Sequence, residues 1–112
     1  MYLGIDIGTQ SVKALLYDAE QRRVAGLHRA PLEMLGDNAG KREQLAEWWL
    51  EALGKTLQQF SAGELAQVQA IAVSGQQHGF VPLGVNGEVL APVKLWSDTT
   101  TTQECDEITA SF

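Results

Sequence analysis

The chain has 112 residues, 45% of them hydrophobic and 20% charged, with 8 Lys+Arg against 14 Asp+Glu and a formal charge of −6. That length holds one small domain with a real core, of the size that buries somewhat over about 60% of its unfolded surface, and it excludes a complete two-domain enzyme. The acidic balance, spread along the chain, argues against the basic footprint of a nucleic-acid or anionic-membrane binder and leaves small ligands or other proteins as partners.

Tyr2-Leu3-Gly4-Ile5-Asp6-Ile7 and Val12 to Asp18 are two short apolar runs separated by Gly8-Thr9-Gln10-Ser11, the pattern of a β-hairpin. A turn cluster at Asp18–Arg23 leads into Val24 to Ala30, a weaker third strand, so an antiparallel three-strand meander is expected. Leu35 to Arg42 reads as a Gly/Asp/Asn loop. The period then changes: Leu45, Trp48, Trp49, Ala52, Leu53, Leu57 and Phe60 share one helical face, and Glu51 and Lys55 form an i,i+4 pair on another. This helix should pack its aromatic stripe on the sheet and end at Ser61-Ala62-Gly63.

Val68 to Ser74 is rich in β-branched residues and suits a buried strand, placed parallel to the first by a right-handed crossover. Gly75-Gln76-Gln77-His78-Gly79 breaks the pattern. Phe80 to Leu83 and Val89 to Ala91 flank Asn86-Gly87, a hairpin signal, and Val93 to Trp96 is a last short strand. Gln103 to Phe112 begins a helix without room to complete one. No repeat and no dividing linker is visible. The fold class is α/β.

A single cysteine, Cys105, gives no internal disulfide and no Cys-rich zinc site. Asp6 interrupts the first apolar stretch, no basic segment precedes it, and no run approaches the roughly 18 apolar residues of a membrane span. These features predict a soluble, cytoplasmic protein.

Two segments carry chemistry. In Gly4-Ile5-Asp6-Ile7-Gly8-Thr9-Gln10-Ser11 with Lys13, a carboxylate ends a strand and a hydroxyl-rich turn follows. Asp6 suits Mg²⁺, Gly8 allows close backbone approach, Thr9 and Ser11 with neighbouring N–H groups suit phosphate oxygens, and Lys13 adds charge. The spacing matches neither a Walker loop nor G-x-G-x-x-G. A plain hairpin with Asp6 as a cap is the alternative, weakened because an acid in an apolar central strand is costly unless paired. In the second, Gln77 and His78 stand between glycines just after a strand expected to be buried, while Trp96 taken alone reads as a core residue. Trp48 and Trp49 read as packing residues, and His28 as a surface residue without a partner.

The opening hairpin resembles the G-I-D-x-G-T start of the sugar kinase, heat-shock chaperone and actin group. Ala72-Val73-Ser74-Gly75-Gln76-Gln77-His78-Gly79 followed by Leu95-Trp96-Ser97-Asp98 is similar to the FGGY carbohydrate kinases, and within them to xylulokinases. The resemblance runs over nearly the whole chain, in the family's order. It implies the N-terminal part of a ribonuclease H-like, actin-like ATPase domain, covering residues 1–112.

By the same resemblance Asp6 is the magnesium and phosphate-site aspartate, and Gly8, Thr9, Gln10, Ser11 and Lys13 form the nucleotide phosphate loop. Gln77 and His78 bind the ketose, and Trp96 and Asp98 belong to the sugar-side segment. Many relatives read W-x-D-x-R, whereas Thr100 stands at the arginine position here. The implied cofactors are ATP and Mg²⁺, and the implied reaction converts D-xylulose to D-xylulose 5-phosphate. The catalytic base and adenosine pocket would come from segments other than these 112 residues, so the chain alone is expected to be inactive. A homodimer of the full-length protein is compatible with the family. Another FGGY kinase acting on ribulose, gluconate or glycerol, a chaperone-type ATPase and a non-catalytic binding module are the alternatives.

Overall fold

A computed structural model describes all residues from Met1 to Phe112. In chain order the elements are β1 (Tyr2–Ile7), β2 (Ser11–Asp18), β3 (Arg23–Pro31), β4 (Leu35–Gly36), β5 (Arg42–Gln44), α1 (Ala46–Leu57), α2 (Ala62–Leu65), β6 (Ala70–Gly75), β7 (Val93–Lys94) and α3 (Thr102–Ala110). They fall into two compact units, Met1–Glu33 with Glu47–Gln76, and Met34–Ala46 with Gln77–Phe112. The chain passes between the units at Glu33/Met34, Ala46/Glu47 and Gln76/Gln77, none of them a Pro-, Gly- or Ser-rich stretch, so composition carries no boundary signal.

The first unit holds a four-stranded sheet of order β3-β2-β1-β6. β1, β2 and β3 form the expected antiparallel meander and β6 runs parallel to β1, as the alternation of a meander and a helix-linked strand predicts. β3 is nonetheless the longest strand at nine residues, because its ladder to β2 runs from Ser11↔Pro31 to Asp18↔Arg23 and outweighs modest side-chain propensity.

Period-two alternation puts Leu3, Ile5, Val12, Ala14, Leu16 and Ala30 on one buried face, covered by Ala52 and Phe60. Burying a side chain such as Leu16 contributes about 1.5–3 kcal/mol.

The expected tryptophan stripe is not what meets the sheet. The buried residues of α1 are Ala52 and Thr56, whereas Trp48 and Trp49 are half-buried, and Phe60 reaches the core from beyond the helix end. Small residues at the contact allow close approach: the Thr56 hydroxyl lies 2.7 Å from the Ala52 carbonyl oxygen and 3.3 Å from that of Val12, sharing its proton between them. Glu51 and Lys55 pair at 4.0 Å on the exposed side.

His28 departs from its expected surface role. It is half-buried and meets the Phe60 ring edge-on at 4.5 Å and 80°. Gly26 faces the same ring, where a Cβ would lie 2.8 Å from Phe60 Cε1. Ser61-Ala62-Gly63 does more than stop a helix: Ser61 and Glu64 form a reciprocal capping box that starts α2.

β6 was expected to be buried, yet every residue of it is exposed, with Ile71 at 61% and Val73 at 65%. It is the edge of the sheet, hydrogen-bonded to β1 alone, and α1 covers the other strands.

The second unit contains a three-stranded antiparallel sheet, β4-β5-β7. The segment expected to be a loop between Leu35 and Arg42 is thus a small hairpin. Its turn is shaped by Asp37 Oδ1, which accepts the N–H groups of Ala39 and Lys41 at 2.9 and 3.0 Å, and by Gly40 at φ +100°.

The Asn86-Gly87 turn forms as expected, although its flanks make one bridge, Leu83↔Val89, rather than strands. Gly87 adopts φ +82° and donates to the Gly84 carbonyl at 3.0 Å. The last strand is shortened to Val93–Lys94 because the chain turns at Leu95. The tail does complete a helix: α3 is exposed along its length and sustained by local contacts, including Gln103–Glu107 at 2.9 Å and Thr102 to the Thr99 carbonyl at 3.1 Å. No helix is long and apolar enough to cross a membrane.

Candidate phosphate and sugar sites

The phosphate-type hairpin lies wholly in the first unit. The Gly8 N–H donates to the Ser11 carbonyl at 3.1 Å, closing the turn between β1 and β2. Gly8 therefore contributes room rather than a phosphate donor: a Cβ there would sit 3.3 Å from the Ser11 carbonyl oxygen and 3.7 Å from Asp6 Oδ2. The Thr9 hydroxyl donates to Gln76 Oε1 at 3.1 Å, and the Gln76 N–H donates to the Ile7 carbonyl at 2.9 Å, so the residue after β6 braces the turn.

Asp6 is paired, as the sequence argument required, but it is not buried. Its carboxylate is 3.7 Å from Lys13 Nζ, its side chain is 47% exposed, and it faces away from the core. Burial therefore imposes little cost on it, and the expected desolvation penalty does not arise.

Register sets Lys13 opposite Asp6 on one side and opposite Arg29 on the other. Two like charges directly opposite on neighbouring strands destabilise a sheet. With Gly8, Thr9, Gln10 and Ser11 they line an open groove of about 310 Å³, where an anion would relieve the repulsion. Arg29 and Gln76 escaped the sequence reading, since only strand register shows that position 29 joins position 13.

No three His, Cys, Asp or Glu side chains converge to hold a metal unaided. Asp6 alone fits Mg²⁺, an ion that takes one or two carboxylates together with phosphate oxygens and water.

Gln77, His78, Trp96 and Asp98 all belong to the second unit. Phe80 and Lys94 form an antiparallel bridge, with Phe80 N–H to Lys94 carbonyl at 2.9 Å and Lys94 N–H to Phe80 carbonyl at 3.2 Å. Two residues back from Phe80 and two on from Lys94, the chain reaches His78 and Trp96, so this bridge ties the two segments together. Gln77 and His78 are exposed. His78 has φ +57°, in the left-handed region that non-glycine residues seldom occupy and that concentrates at functional positions.

Trp96 and Ser97 are the central residues of a turn closed by Asp98 N–H to the Leu95 carbonyl at 3.0 Å, and Trp96 is 61% exposed. Leu95 is buried, and its N–H donates to the Arg42 carbonyl at 3.0 Å.

Asp98, assigned by resemblance to the sugar-side segment, lies in that segment and turns its carboxylate inward. Oδ2 accepts the Arg42 N–H at 2.7 Å, continuing the β5 ladder beyond the end of β7, and Oδ1 accepts the Thr100 N–H at 3.0 Å and the Thr100 hydroxyl at 2.5 Å. Only 3% of the side chain is exposed. Thr100 thus closes the turn on Asp98.

The Arg42 N–H, then the Thr100 hydroxyl and N–H and the Lys94 ammonium, hold the Asp98 carboxyl far below the usual carboxylate range against the opposing effect of burial. Lys94 is shifted upward, first by its hydrogen bond to Glu43 and also by the Asp98 charge. A depressed carboxyl pKa stabilises the fold fully above the ordinary aspartate value of about 4, and that contribution is lost as pH falls through the depressed value. The turn is therefore expected to hold unchanged from neutral pH down to about pH 4. An NMR titration following the Asp98 carboxyl carbon checks this, and a midpoint at or above 4 would refute it.

The mixed α/β sheet with its opening hairpin is shared with sugar kinases of the actin-like ATPase fold. A crystal structure of a xyloylose kinase from Brucella ovis superposes with a TM-score of 0.88 at 34% identity, covering 98% of this chain and 24% of that one. The xylulose kinase from Rhodospirillum rubrum shares the fold with a TM-score of 0.87 at 24% identity, over 99% of this chain and 24% of that one. A curated xylulose kinase of Haemophilus influenzae is 42% identical over 116 aligned residues, 95% of this chain and 23% of that protein.

The profile of the FGGY family of carbohydrate kinases, N-terminal domain, matches residues 1–112. The chain belongs to that family, and it spans about a quarter of the length of these relatives.

Proposed function

We propose that these 112 residues are the N-terminal part of a longer kinase that transfers the γ-phosphoryl group of ATP to the primary hydroxyl of a ketopentose, D-xylulose, giving D-xylulose 5-phosphate. The carrying observation is the row Asp6, Lys13, Arg29 beside the Gly8–Ser11 turn: a carboxylate suited to Mg²⁺, paired with one of two cations that stand opposite each other on neighbouring strands and favour an anion. ATP would supply the phosphoryl group, and Mg²⁺ bound at Asp6 would neutralise phosphate charge. Asp6 would hold the metal, while Thr9, Gln10, Ser11 and Lys13 hold phosphate oxygens and Gly8 leaves them space.

In the transfer the sugar oxygen bonds to the γ-phosphorus, the bond to the ADP oxygen breaks, and the hydroxyl proton passes to a carboxylate base. The family resemblance assigns that base to an aspartate of a later segment. Gln77 and His78, exposed next to the Trp96 turn, supply hydrogen bonds and an aromatic face to the ketose, while Asp98 shapes the turn. The names of the relatives support D-xylulose as the acceptor, and a cytoplasmic, soluble protein fits such a substrate.

A coupled assay of the full-length protein against D-xylulose, D-ribulose, gluconate and glycerol tests this. D-xylulose is expected to give the highest kcat/KM, and the 112-residue chain alone no turnover. A different preferred acceptor would overturn the substrate assignment, and no ATP consumption with any of the four would overturn the kinase assignment.

A further inference from the structure

We infer that Lys94 is the positioning residue of the Leu95–Asp98 turn, supplying from β7 the cation around which the turn that presents Trp96 is built. The Lys94 ammonium lies 3.1 Å from Glu43 Oε1, 2.9 Å from the Thr100 hydroxyl oxygen and 3.5 Å from Asp98 Oδ1. The two carboxylates are the shielded partners, 13% and 3% exposed, against 36% for the lysine. Lys41 lies 3.3 Å from the other oxygen of Glu43 and is itself 40% exposed.

Lys94 is the ammonium that both carboxylates share: Glu43 also meets Lys41, and Asp98 also accepts from Arg42 and Thr100, so removing Lys94 leaves two shielded carboxylates close together with less positive charge between them. Lys94 also carries the backbone bridge to Phe80, so one residue links the His78 segment to the Trp96 turn through its main chain and fixes that turn through its side chain.

The hydroxyl of Thr100 donates to Asp98 and accepts from Lys94, so the space at position 100 adjoins the same carboxylates. A guanidinium at position 100 would therefore reach the charges that Lys94 neutralises. The cation can enter this cluster from either residue, and in this chain it enters from Lys94. As a contribution to sugar binding, this role rests on Trp96 belonging to the sugar-side segment.

The test uses the full-length protein and amide hydrogen exchange. In Lys94→Met, the Asp98 N–H, which closes the turn, and the Arg42 N–H, which holds the Asp98 carboxylate, are expected to exchange at least about tenfold faster, with the Trp96 indole signal shifted. The indole signals of Trp48 and Trp49 in the first unit stay in place and report that the chain is folded. Lys94→Arg, and the double variant Lys94→Met with Thr100→Arg, are expected to return both exchange rates to within about threefold of the parent.

Unchanged exchange in Lys94→Met would overturn the inference, as would a double variant no slower than the single one. Exchange is read without sugar, so a failure of D-xylulose to perturb the Trp96 signal would count against the substrate assignment and leave the role of Lys94 decided by the rates.

Discussion

Asp6→Asn in the full-length protein is expected to lower kcat by at least about a hundredfold while leaving the fold intact, because it removes the carboxylate proposed to hold the metal where phosphate charge develops. The structure separates these two effects. Asp6 is half-exposed and faces away from the core, and its pairing with Lys13 is of the exposed kind worth about 0–1 kcal/mol, so the melting temperature should shift by no more than a few degrees.

Affinity for ATP should not fall in parallel. Removing the negative charge leaves Lys13 and Arg29 unopposed, and both favour an anion. A loss expressed in kcat, with nucleotide affinity kept, is therefore the specific signature of Asp6 as metal holder. Near-normal turnover would refute the assignment, and a collapse in thermal stability would assign Asp6 to the hairpin instead.

The second large effect is expected at His78. Its φ of +57° is costly for most side chains and free for glycine, so His78→Gly removes the imidazole without straining the backbone, whereas His78→Ala would keep the strain. Losing a hydrogen-bonding group that leaves an uncharged polar ligand unsatisfied corresponds to about 1–3 kcal/mol, or roughly five- to a hundredfold in binding. KM for D-xylulose in the full-length protein should rise by that factor, with thermal stability equal to or above that of the parent. An unchanged KM in the glycine variant would exclude His78 from the sugar site, and a folding defect would show that the imidazole is structural.

The sequence alone determined the features that depend on local periodicity. Alternation of apolar residues in Leu3–Ile7 and Val12–Leu16 specified the hairpin and its buried face. The spacing of α1 and the β-branched run of β6 specified a helix-linked strand beside β1, and the order of the motifs pointed to the FGGY family. Other signals were present but read too coarsely: Ser61 and Glu64 carry the capping-box spacing, and Asp37 to Gly40 the composition of a tight turn inside a hairpin.

What only the tertiary structure decided are properties of position across strands. The apposition of Lys13 and Arg29 depends on the β2–β3 register, and no spacing along the chain encodes it. Within these 112 residues, the exposure of Ile71 and Val73 follows from which strands α1 covers. Asp98 shows the limit most plainly. As a residue type in a family motif it suggested a sugar contact, but its direction was set by the Arg42 N–H left unpaired beyond the end of β7 and by a lysine four residues earlier. Residue chemistry and period are written locally, whereas the partner that uses up a charge is supplied by whatever the fold brings beside it.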